Sequence, residues 1–187
     1  MLTKNFYIAL SALFGREEPR VTTNASNLEL VDINGDTHYA TYSNSTATNF
    51  SWYSSAAALL DRKDIVQSKP SVSTSNTGVV FGTGNNPASI NDYWISGDLI
   101  NNISVLNIYR RYSTENSSIY TVDYNITNNN SQPITIKEIG VLGIGVYNQS
   151  SKALILTERT VLDEPVVIQP NEIGVVSHTI TFAIPTA

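Results

Sequence analysis

From Ser104 to the C-terminus, apolar and polar positions alternate in short runs separated by turn-forming residues. Leu106, Ile108 and Tyr112 share one face of the first run, with Arg110 among them. In the next, Tyr120, Val122, Tyr124 and Ile126 point one way and Thr121, Asp123, Asn125 and Thr127 the other. A period of two is that of a strand with one face in a core. Asn128-Asn129-Asn130-Ser131 reads as a turn, and Ile134 and Ile136 resume the pattern. After Glu138 it blurs through Gly140, Gly143 and Gly145. Glycines inside a strand mark a bulge or a close approach of backbones. Asn148 to Ser151 is a hairpin turn, and Leu154 and Leu156 run back. Pro165 opens an edge segment to Ile168, and Pro170-Asn171 turns. Val176, His178, Ile180, Phe182 and Ile184 line one face of the last strand. Short strands at this spacing predict an all-β fold, an antiparallel β-sandwich.

The first 78 residues are patterned differently. Phe6, Ala9, Leu10, Leu13 and Phe14 recur at helical spacing, so a short N-terminal α-helix is predicted over Thr3 to Phe14. Thr3 is placed to cap its start and Gly15 its end, and Pro19 prevents continuation. About three turns are not stable alone, so this face must dock on its own domain or on a neighbour. Leu28 to Ile33 alternates as a strand, Asn34-Gly35 is a two-residue hairpin signal, and His38 to Tyr42 returns. Phe50, Trp52 and Tyr53 form an aromatic cluster, and Ala56 to Asp64 favours a short helix. The chain therefore divides into a helix and extended N-terminal arm, 1–78, and a sandwich domain, 79–187. Val79 to Phe81 is the sandwich's first strand, followed by the loop Gly82-Thr83-Gly84-Asn85-Asn86-Pro87.

Composition narrows the function. Charged residues make up 14% of the 187, well below the average share, and hydrophobic residues 41%. Asn, Ser and Thr supply the polarity. Such a surface suits contact with neighbouring subunits, where each buried charge would need a partner, or contact with carbohydrate. A net charge of −5 argues against binding the nucleic-acid backbone. No cysteine is present, which removes disulfides and thiolate metal sites. Phe6 to Phe14 is too short and interrupted for a convincing signal peptide, and no run is long enough to cross a membrane. Sequons such as Asn44-Ser45-Thr46 are expected by chance in a chain of this composition.

Candidate chemistry is sparse. The loop Gly82 to Pro87 hints at a phosphate cradle, but it lacks the third glycine and the Lys-Ser/Thr of a P-loop. With His38 and His178 as the only histidines, a zinc site has no supporting spacing, and His178 is expected to serve the core or an interface. Asp163 and Glu164 are adjacent, so they do not form a glycosidase pair and read as a solvated turn. Glu158 and Arg159 read as structural, with a salt bridge to a neighbour in reach. No catalytic residue, cofactor or metal is expected. Tyr39, Tyr42, Phe50, Trp52, Tyr53, Tyr93 and Trp94 suit a core or subunit interface, or a sugar-stacking platform.

Three stretches taken in order carry a resemblance. They are Gly82-Thr83-Gly84-x-x-Pro87 with Asp92-Tyr93, then Ile134-Thr135-Ile136-x-Glu138-Ile139-Gly140, then Arg159-Thr160-Val161-Leu162-Asp163-x-Pro165-Val166-x-Ile168. Together they resemble a module of tailed-bacteriophage virion proteins. The similarity runs from about Val79 to Ile184 and leaves residues 1–78 unmatched. It implies a β-sandwich without catalytic residues, located in the virion. It also implies a homo-oligomer whose partners are its own copies and portal, tail or capsid proteins, with no nucleic acid and no membrane. A neck or tail ring is the leading location, with capsid decoration, a head fibre or a carbohydrate- or receptor-binding module as alternatives. Phe6, Leu10, Leu13, Phe14, Phe50, Trp52 and Tyr53 are the expected interface residues.

Overall fold

The structure, a computed structural model, describes residues 1–7, 28–40, 65–70, 77–113, 117–146 and 152–183. The chain is all-β. A hairpin of β1 (Leu28–Val31) and β2 (Thr37–Ala40) precedes two three-stranded antiparallel sheets. The first sheet has the order β3 (Gly78–Gly82), β6 (Ile134–Val146), β7 (Lys152–Ile168). The second has the order β4 (Ile103–Ser113), β5 (Ser117–Asn128), β8 (Ile173–Ala183).

The main core lies between the sheets. Val79, Phe81, Ile136, Ile139 and Ile168 from the first meet Ile103, Val122, Tyr124, Ile126 and Val176 from the second. Phe81 and Tyr124 stack edge to face at 5.5 Å, which adds about 0.5–1.5 kcal/mol to their burial. On β5, Val122, Tyr124 and Ile126 are buried as the alternation predicts. On β4 a bulge between Val105 and Asn107 makes Leu106 the extra residue. Ile103, Val105 and Ile108 thus pack on the core while Leu106 stays exposed, contrary to the shared face expected of Leu106 and Ile108.

The first sheet is covered on its outer face as well. Val80, Leu142, Leu154 and Leu156 pack there against Ile33 of the hairpin and Ile95 of the segment joining β3 to β4. Two register steps explain why the pattern blurs after Glu138. Between Ile136 and Glu138 the partner strand carries extra residues over 162–165; Asp163 and Glu164 are exposed there, but within strand β7 and not in the turn expected of them. Between Val141 and Leu142, Thr157 is the extra residue on β7, and its hydroxyl donates to Val141 O at 3.0 Å. This step reverses the parity of β7. Leu154 and Leu156 face outward, Glu158 inward opposite Val141, and Arg159 outward opposite Gly140.

The free edge of β7 is closed by the N-terminal residues. Thr3 N donates to Thr157 O, Arg159 N donates to Met1 O, and Ile33 N donates to Leu154 O. Leu156 O accepts from Thr3 Oγ1 at 2.6 Å and from Asn5 Nδ2 at 3.3 Å. Asn5 also clasps β1, donating to Val31 O and accepting from Val31 N. An edge paired this way offers few groups to a stray strand. Residues 4–7 form a helical turn. Thr3 begins it through its backbone carbonyl, which accepts from Phe6 N and Tyr7 N. Its hydroxyl is engaged on Leu156, so the expected side-chain cap is not formed.

The hairpin closes differently from its two-residue signal. Asp32 N donates to Asp36 O, leaving Ile33, Asn34 and Gly35 as a three-residue loop with Gly35 at φ +88°. Ile33 is fully buried, and its tie to β7 is what draws the loop out. Asp32 Oδ1 accepts from Asn34 N and Asp36 N, and Oδ2 lies 2.7 Å from His38 Nε2.

Candidate functional site

The segment 83–98 lies over the outer face of the first sheet and is held by a buried charge cluster. Glu138 on β6 and Arg159 on β7 project from that face, 0% and 1% exposed. Arg159 Nε donates to Glu138 Oε2 at 2.8 Å. Its Nη1 donates to Asp92 Oδ2 at 2.8 Å and more weakly to Pro87 O at 3.4 Å. Its Nη2 donates to Asn86 O at 2.9 Å and Ser96 Oγ at 2.7 Å. The planar guanidinium uses its whole fork, which a lysine would not do.

Glu138 is the anion of a nest of backbone amides. Gly84 N and Gly97 N donate to Oε1, each at 2.8 Å, and Ser96 N donates to Oε2 at 3.0 Å. Burial alone would raise its pKa. The Ser96 amide, the Arg159 guanidinium and the Gly97 amide outweigh that and hold it below the ordinary glutamate value. Burial would likewise lower the Arg159 pKa, but Asp92 and Glu138 raise it. The glycines are required by space. A Cβ on Gly84 would run into Ser96 Oγ, Glu138 Oε1 and Gly97 N, and one on Gly97 into Gly84 N. The phosphate cradle hinted at by Gly82 to Pro87 is therefore an anion nest already filled by the chain's own carboxylate. The salt bridge anticipated from Arg159 to a neighbour is made within the chain.

The pinned segment presents Ile90 and Tyr93 to solvent, 47% and 44% exposed. Tyr7 is 48% exposed, and Lys4 N donates to Ile90 O at 2.6 Å, so the helical turn and this segment adjoin. Tyr93 also covers Gly35, whose Cβ position is 3.3 Å from its ring. Trp94, a candidate sugar platform, is half-buried against the outer cluster, with Lys69 Nζ 5.2 Å from its ring centroid. A shallow cleft lies at one end of the sandwich, lined by amides and apolar groups including Asn101, Asn130, Gln132 and Ile134. Asn130 Nδ2 is engaged there with Asn101 O.

Phe6 is 7% exposed and packs within the chain, with the Tyr7 ring edge-on at 5.7 Å. It has little surface left for a neighbour within this chain's own packing. Leu10, Leu13, Phe14, Phe50, Trp52 and Tyr53, with the helix expected over Ala56 to Asp64, lie outside the described residues. His178 is buried, as the last strand's pattern placed it, beside Glu158. No group of acidic and histidine side chains suited to a metal occurs among the described residues. Nor is any described helix long and apolar enough to cross a membrane. No family model, curated protein or solved structure matches the chain.

The sequence carries a signal for the cluster. Glu138 and Arg159 are charged residues inside otherwise apolar strands, and a lone buried charge of either sign is costly. Opposite charges on strands that pair as a hairpin point to each other once the register is known, and the glycine pairs mark the backbone that closes over them.

Proposed function

We propose that the chain is a non-enzymatic structural component of a bacteriophage virion, assembling through contacts between copies, with a neck or tail ring as the leading location. One observation carries the reading most. The three stretches that resemble a virion module are far apart in sequence, yet Gly84, Pro87 and Asp92, Glu138, and Arg159 meet in one buried cluster. Such a cluster makes a rigid brace. It directs Asp92, Glu138 and Arg159 onto each other and leaves Ile90 and Tyr93 exposed on the segment above. Ile90, Tyr93 and Tyr7 are the contact residues this reading favours, because exposed Tyr and Ile on a fixed backbone lose little entropy on docking.

Light scattering over a concentration series tests the proposal. A closed ring-sized oligomer is the expected result, since heterologous contacts that close give a defined copy number. A trimer would move the assignment to capsid decoration or a head fibre. A monomer at every concentration overturns self-assembly, and sugar-array binding by that monomer would install the carbohydrate-binding alternative.

A further inference from the structure

A second buried ionic pair lies on the opposite face of the first sheet. Glu158 on β7 and His178 on β8 belong to different sheets, and their side chains are 3% and 2% exposed. Oε2 and Nε2 approach to 2.6 Å, yet the approach is not aligned as a hydrogen bond, and neither atom has another such partner. Oε1 accepts from the Thr160 hydroxyl at 2.6 Å. The register partners of the two residues are Val141 and Val122, both in the core. A carboxylate so placed depends on the charge of the ring beside it.

We propose that Glu158 and His178 form a proton-operated latch between the two sheets, closed while carboxylate faces imidazolium and released when either charge is lost. Among the described side chains, no other charged group nearby replaces it. Arg159 and Glu138 turn to the outer face, where they hold each other. Asp123 on β5 accepts from Ser177 at 2.7 Å on the exposed side of the second sheet. Arg110 is the register partner of Val122 on β4. The amino group of Met1 lies 3.4 Å from the other oxygen of Glu158, at an exposed position where solvent screens it. Burial would raise the Glu158 pKa, but the His178 ring, by its charge and by its close nitrogen, and then the Thr160 hydroxyl hold it below the ordinary glutamate value. Its contribution is therefore present above that ordinary value and is lost as pH falls through the depressed one. Facing a neutral ring, Oε2 would be buried with no cation beside it, which is destabilising. The latch concerns the fold of each chain and stands whether or not the chain assembles into a ring.

The test compares the thermal midpoint of the wild type with that of Glu158→Leu/His178→Leu from about pH 3 to about pH 10. The double variant replaces both charges with apolar groups, an exchange that sandwich cores often accept. The wild-type midpoint minus that of the variant should peak at intermediate pH and fall by roughly 5 °C or more toward each end. A difference that does not change with pH overturns the proposal. A second readout needs only wild-type protein, namely the imidazole proton resonances of the two histidines against pH. The latch requires one of them to titrate together with the alkaline fall in midpoint. If neither does, the proposal fails even where the variant does not fold.

Discussion

Replacing Arg159 with methionine keeps most of the side-chain volume but removes the guanidinium from a site that is 1% exposed. Five hydrogen bonds go with it, to Glu138, Asp92, Ser96, Pro87 and Asn86. Breaking a buried pair by deleting one partner costs about 3–5 kcal/mol, because the remaining charge stays buried. Here Glu138 keeps the amides of Gly84, Ser96 and Gly97, which favours the lower end of that range. In urea, with a slope near 2 kcal/mol/M, the unfolding midpoint should fall by about 1.5–2.5 M. The corresponding thermal shift is roughly 6–20 °C. Trp94 sits within the covered face, so its fluorescence reports the transition. Arg159→Lys should fall between wild type and methionine, since a single ammonium replaces the charge but not the fork. Adding Glu138→Gln to the methionine variant should recover part of the loss by removing the orphaned charge. If Arg159→Met unfolds within about 0.5 kcal/mol of the wild type, a shift typical of neutral surface changes, the cluster is not the brace described here.

Other outcomes follow from the same geometry. The depressed Glu138 pKa means its stabilisation is complete above the ordinary glutamate value and is lost as pH falls through the depressed one. The urea midpoint should therefore drop on acidification, and Glu138→Gln should flatten that limb while lowering the neutral-pH value. Gly84→Ala and Gly97→Ala should each destabilise by several times the roughly 1 kcal/mol expected for Gly35→Ala, which is strained by its φ of +88°. Thermal melts of the three variants check the order. Asp32→Asn weakens the contact to His38 while keeping an acceptor for the turn amides, and should cost about 1–2 kcal/mol by urea titration. Finally, Ile90→Ser with Tyr93→Ser should reduce the assembled mass in light scattering and leave the urea midpoint nearly unchanged. A lowered midpoint with unchanged mass would show that these residues serve the fold instead.

Binary pattern by itself determined the all-β class, the burial of Val122, Tyr124 and Ile126 on β5, the face of β8 that carries His178, and the strand β3. It could do so because strand periodicity is local and each of these runs is regular. The hairpin between β1 and β2 was legible for the same reason, although its loop is longer than Asn34-Gly35 signals because Ile33 is drawn into a core made by β7. Only the tertiary structure decided the direction in which Leu106, Glu158 and Arg159 point. A bulge shifts parity by one residue, and its position is set by the partner strand, which local alternation does not contain. The candidate site is an extreme case. Glu138, Arg159, Asp92, Gly84 and Gly97 belong to three stretches of chain, and each looks unremarkable where it stands. Their meaning arises from charge burial, which makes one side chain's environment depend on residues that only folding brings together.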